Sequence, residues 1–138
     1  MCISSGKINY LIPATQVEAA LYCSDESCFL NGKFLYKNRA LPYLNFYNEI
    51  TDDDALDVLY TDLALIIRNS KLFEHVKEFA LIISSECTVK NLKYKDFSIF
   101  SDRLSVVLKK KGYIACYFKN NEIYYLIDIE DFLKNFIV

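Results

Sequence analysis

The chain has 138 residues, 53% of them hydrophobic, and a formal net charge of -2, which is enough apolar material for one domain or for two small lobes. A disordered tail or a coiled coil needs a far more polar composition, and a nucleic-acid binder usually carries the basic excess that phosphate contacts demand. The 11 Tyr and 10 Phe, beside many β-branched residues, favour pleated sheet over helix.

In chain order, Cys2–Ser4 and Ile8–Ile12 read as two short strands turning at Ser5-Gly6-Lys7. Pro13 ends the second ladder because it has no N–H to donate. Ala14 to Leu21 reads either as a short helical turn or as a bent strand. After the polar loop Ser24-Asp25-Glu26-Ser27, Phe29 to Tyr36 forms a hairpin around Asn31-Gly32, a pair that tolerates positive φ. Arg39–Tyr47 is a further strand, and Pro42 within it predicts an edge or a bulge.

Thr51–Asp54 reads as the cap of a short helix or as an exposed loop before the strand Leu63–Arg68. Asn69–Lys77 is polar, and Glu78–Ser84 is strand. Ser101–Leu108 and Tyr113–Phe118 also read as strands, with Lys109-Lys110-Lys111 as a solvated turn between them. Glu122–Ile127 pairs back after Lys119-Asn120-Asn121. The C-terminal helix is the clearest element. Asp128 caps it, Glu130 and Asp131 lie in its first turn, and Ile129, Phe132, Leu133, Phe136 and Ile137 form one apolar stripe. The sum is eight to ten short strands with one or two helices, the pattern of small barrels or a sandwich.

Apolar runs such as Leu63–Ile67 and Phe79–Ile83 fall well short of the roughly 20 residues that cross a bilayer. The first residues carry no charged start before a long apolar stretch. The chain is therefore expected in the cytoplasm, without direct membrane insertion. Its five cysteines form no CxxC pair and are expected as free thiols, several of them buried.

The inventory for chemistry is thin. The three glycines form no phosphate-cradling loop. The lone His75 sits in a polar stretch where a solvated imidazole is the simple reading, and nothing local marks Cys87 as an activated partner for it. Cys23 and Cys28 lack two further ligands at tight spacing. Asp52, Asp53 and Asp54 suit a charged cap better than a cation site, since consecutive carboxylates on a loop point apart. No enzyme activity, cofactor or metal is expected.

Four stretches carry a resemblance to a known family. They are Ile8-Asn9-Tyr10-Leu11-Ile12-Pro13 followed by Val17-Glu18-Ala19-Ala20; Phe29-Leu30-Asn31-Gly32 through Arg39-Ala40-Leu41-Pro42-Tyr43-Leu44-Asn45-Phe46; Phe79-Ala80-Leu81-Ile82-Ile83-Ser84; and Gly112-Tyr113-Ile114-Ala115 with Glu122 to Leu133. Read in this order, they resemble the CheW-like domain of bacterial chemotaxis coupling proteins. The proline strand and the closing LIDIEDFL are the most specific pieces. Lys37 stands where the family pattern has an arginine, Asn45 and Ser84 where it has aspartates, and Ala80 and Cys116 where it has glycines, so the resemblance is to a divergent member.

The resemblance implies a mainly β chain, with residues 1–138 as a single CheW-like domain. Two SH3-like β-barrel lobes would share an apolar core and be followed by a C-terminal helix. It implies a non-catalytic adaptor that couples the cytoplasmic tips of chemoreceptors to the regulatory domain of the histidine kinase CheA. The receptor tip would lie in an apolar groove between the lobes, with Val17, Leu35 and Lys37, and with Arg39 as a neighbour, as its candidate contacts. Val17 and Leu35 read equally well as core residues. Two other readings stay open: an interaction module of the same fold in another signalling assembly, and a small β-barrel enzyme or nucleic-acid binder.

Overall fold

The computed structural model describes residues 1–5, 8–23, 28–46, 62–68, 70–83, 87–93 and 106–135. The expected cap at Thr51–Asp54, the loop Ser24–Ser27, Gly6-Lys7, Ser84, and Phe136 with Ile137 lie outside the described residues. The chain divides into two compact units, one of Met1–Ala14 with Cys87–Val138 and one of Thr15–Glu86. Unit 2 is thus an insertion within the chain path of unit 1.

Unit 1 is built on a five-stranded sheet. Its strands are β1 (Cys2–Ser5), β2 (Ile8–Leu11), β10 (Thr88–Lys90), β11 (Tyr113–Lys119) and β12 (Glu122–Ile127), in the order β10-β1-β2-β12-β11. Only β2 and β12 run parallel, with Ile8 beside Ile123 and Leu11 beside Leu126. Asn9 is buried at this seam. Its amide donates to the Ile123 carbonyl at 3.1 Å and its carbonyl accepts from the Ser4 hydroxyl, so a buried polar group ties three strands with its bonds made. Asn120 and Asn121, both at positive φ, turn β11 into β12 as a two-residue hairpin.

A short helix α1 (Val106–Lys110) precedes β11. This corrects the expectation of a strand over Ser101–Leu108, whose residues 106–108 are helical. Val106-Val107 gave the β signal, but these side chains are 69% and 61% exposed, so burial on a sheet does not hold them. The helix stop prevails instead. Lys109 and Lys110 lie at the negative end of the helix dipole, the Lys111 N–H bonds back to Val107 and Leu108, and Gly112 at φ 88° leaves the helix.

The C-terminal helix α2 (Ile129–Leu133) begins as expected, with the Asp128 carboxylate accepting from the Asp131 N–H at 3.0 Å. It buries Ile129, Phe132 and Leu133. Phe132 packs edge-to-face against Tyr113 at 5.6 Å and in a tilted arrangement against Tyr10 at 5.5 Å.

Unit 2 has two sheets. β3 (Val17–Tyr22), β8 (Leu63–Ile67), β9 (Phe79–Ile83) and β7 (Tyr43–Asn45) form one in the order β3-β8-β9-β7; β4 (Phe29–Leu30), β5 (Lys33–Tyr36) and β6 (Arg39–Leu41) form the other. The central strands β8 and β9 are the unbroken apolar runs LALII and FALII, and β9 is buried at every residue, as a strand covered on both faces must be. Phe34, Tyr36, Leu41, Ala64, Ile66, Ala80 and Ile82 belong to one core cluster with Cys23.

Pro42 stands where the chain passes from β6 to β7, each an edge strand of its sheet. It has no N–H to miss there, and its carbonyl accepts from Ala80 at 3.0 Å. The segment before β3 resolves into both of its readings: a 3-10 turn over Ala14–Gln16 runs directly into the strand. Twelve strands are present among the described residues, more than expected. Pro42 divides one expected strand into two, and β10 exists as a strand through its pairing with β1.

Candidate functional site

Val17, Leu35, Lys37 and Arg39 all belong to unit 2, and none is part of the buried core. Their placement follows from strand alternation. In β5, Phe34 and Tyr36 point inward, so Leu35 is left half-buried on the other face, opposite the exposed Ala40 of β6. In β3, Val17, Ala19 and Leu21 are half-buried while Glu18, Ala20 and Tyr22 are exposed. Val17 sits at a bulge in the pairing with β8. Arg68 secures that bulge: its guanidinium donates to the carbonyls of Thr15 at 3.0 Å and Val17 at 3.3 Å.

Lys37 and Asn38 form the two-residue turn between β5 and β6, both at positive φ. The reversal brings Lys37 and Arg39 onto one ring. The Lys37 ammonium lies 5.3 Å from the centroid of Tyr36 and the Arg39 guanidinium 5.5 Å from it, both within cation–π range. Arg39 is further held by Glu78, just before β9, through both of its terminal nitrogens. The guanidinium holds the Glu78 carboxyl below its usual range, with Glu18 and Lys37 acting on it as well.

The structure therefore joins two of the four candidates directly, Lys37 and Arg39, around Tyr36. Leu35 lies on the opposite face of β5 from that ring. Sequence reasoning missed Tyr36 and Glu78. The alternation of Lys33 to Tyr36 could have pointed to Tyr36 as the inward residue beside the cations, but no local signal pairs Arg39 with a carboxylate so far along the chain.

His75 is exposed, 3.3 Å from the equally exposed Glu74, and Cys87 is buried. Among the described residues no three His, Cys, Asp or Glu side chains gather as a metal site, and no helix is long and apolar enough to cross a membrane. An open cleft of about 330 Å³ lies along Ser70, Lys71 and Phe73–Lys77. Its buried polar group, Ser70, already accepts from the Leu72 N–H at 3.0 Å.

No protein-family model matches the sequence, and no curated protein matches it. Among solved structures, the chain is similar to the scaffolding protein TtCheW from Thermoanaerobacter tengcongensis. The match has a TM-score of 0.57 and 10% identity, covering 96% of this chain and 88% of that one. The mainly β class, the two small lobes and the closing helix agree with that likeness. The chain has a CheW-like fold, carried by a sequence that has diverged far from this neighbour.

Proposed function

We propose that this chain is a non-catalytic chemotaxis adaptor, one CheW-like domain that couples chemoreceptor tips to the regulatory domain of a CheA-type histidine kinase through protein–protein contacts in the cytoplasm. The observation that carries the reading is the structural likeness to a CheW scaffolding protein over nearly the whole chain. Val17, Leu35, Lys37 and Arg39 are the proposed receptor contacts. Each is at least partly accessible, and a few such anchors supply most of the affinity in a protein interface. Lys37 keeps the positive charge of the family's arginine without its planar fork of donors, so the contact relies on charge more than on bidentate geometry.

A tagged chain should retain a CheA-type kinase or a chemoreceptor from the same cell. Retention of neither would reject chemotaxis coupling and favour the alternative, an interaction module in another assembly. The Lys37→Glu variant should lose receptor binding with its melting temperature unchanged. Undiminished binding would remove Lys37 from the interface.

A further inference from the structure

Three two-residue turns among the described residues place both of their residues at positive φ. Two of them, Asn31-Gly32 and Asn120-Asn121, use residue types that tolerate the left-handed region. The third puts a lysine there, with φ 47° at Lys37. A strained backbone at a residue with no conformational reason to be chosen points to a task for its side chain. Here the strain presents an ammonium over Tyr36 beside the Arg39 guanidinium. Among the described residues Lys37 enters no ion pair. Arg39 is taken, since Glu78 spans both of its terminal nitrogens although the Arg39 side chain is 47% exposed. Exposed pairs of this kind add little to stability, so the fold does not depend on the clasp.

We infer that Glu78 is an internal stand-in for a partner's carboxylate, and that an acidic protein segment docks on unit 2 by displacing Glu78 from Arg39 while a second carboxylate takes Lys37. The exchange replaces one Arg–carboxylate fork by another and returns Glu78 to water, where, without Arg39, it stays ionised at neutral pH as an ordinary glutamate. A lone carboxylate competes poorly with a tethered one, and a neutral or basic segment cannot compete at all. The clasp therefore selects for two suitably spaced acidic side chains. The inference rests on the adaptor reading for where such a segment comes from; the exchange itself needs unit 2 alone.

The test uses fluorescein-labelled hexaglutamate as the probe, with anisotropy read at low ionic strength. Glu78→Gln should bind it about two- to fivefold tighter than the unaltered chain, the factor set by removing an exposed ion-pair competitor. Glu74→Gln makes the same charge change at an exposed site of the same unit and should gain clearly less. Arg39→Gln added to Glu78→Gln should erase the gain, and Lys37→Asn should lower affinity while raising the melting temperature. The exchange is overturned if Glu78→Gln gains nothing, if Glu74→Gln gains as much, or if the gain survives Arg39→Gln. Unchanged affinity in Lys37→Asn overturns the second anchor. Failure of receptor and kinase to bind, with this variant pattern intact, would count against the adaptor reading alone.

Discussion

Replacing Gly112 by alanine is expected to be the most damaging small substitution in unit 1. Gly112 is buried at φ 88°, where α1 ends and β11 begins. A Cβ built on it would lie 2.3 Å from the Phe132 nitrogen, 2.7 Å from the Phe132 Cα and 2.8 Å from the Asp131 carbonyl carbon. All three are backbone atoms of α2, so no side chain can rotate away and the helix itself must retreat. That retreat pulls on the 2.8 Å bond from the Asp128 N–H to the Gly112 carbonyl, and on the bond from the Asn135 amide to Lys111. The left-handed backbone costs an alanine about 1–2 kcal/mol, and overpacking adds about 1–3 kcal/mol. The sum, about 2–5 kcal/mol, is a large share of the 5–15 kcal/mol that holds a typical domain together. Gly32→Ala is the internal control, because Gly32 is at φ 74° with nothing within 4 Å of its virtual Cβ. It should show the backbone cost alone. Urea denaturation followed by far-ultraviolet circular dichroism, read as the shift in midpoint at constant slope, measures both. Equal losses in the two variants would refute the close approach of Gly112 to α2.

Asp128→Ala should cost about 1 kcal/mol, the usual value of an N-cap, and the Asp131 amide should lose its protection from hydrogen exchange; unchanged exchange would contradict the cap. Burial pushes the Cys23 thiol up from 9.0 to about 12. With a raised folded-state value, stability is fully present below pH 9.0 and is lost as pH rises toward 12, because the unfolded chain gives up its proton first. The slope contributed approaches about 1.4 kcal/mol per pH unit. It should be missing in Cys23→Ala, and a flat wild-type profile from pH 9 to 11 would contradict the burial of this thiol. At pH 8, a thiol reagent should label Cys23 only after denaturant is added.

Much of the fold was legible wherever a local rule agreed with the tertiary structure. Asn31-Gly32 and Asn120-Asn121 announce their turns, Asp128 its helix, and Pro42 an edge position, because each residue type suits the backbone it occupies. The runs Leu63–Ile67 and Phe79–Ile83 announce central strands by being apolar throughout. Val106-Val107 misled, since β-propensity is a statement about packing and these side chains pack on little. Thr88–Lys90 gave no warning, because what makes it a strand is the edge of β1. The candidate site was legible only as residue types. The strained turn at Lys37, the shared Tyr36 ring and the clasp of Arg39 by Glu78 depend on register and on a contact that no local pattern encodes.

The coupling reading stands or falls on direct binding between purified components. Isothermal titration of this chain with the regulatory domain of the CheA-type kinase from the same cell should give saturable one-to-one binding. A receptor cytoplasmic hairpin added to that complex should bind as well, and should bind more weakly when Lys37→Glu is used. Absence of heat with both partners, from a chain whose circular dichroism and cooperative unfolding show it to be folded, would contradict the account.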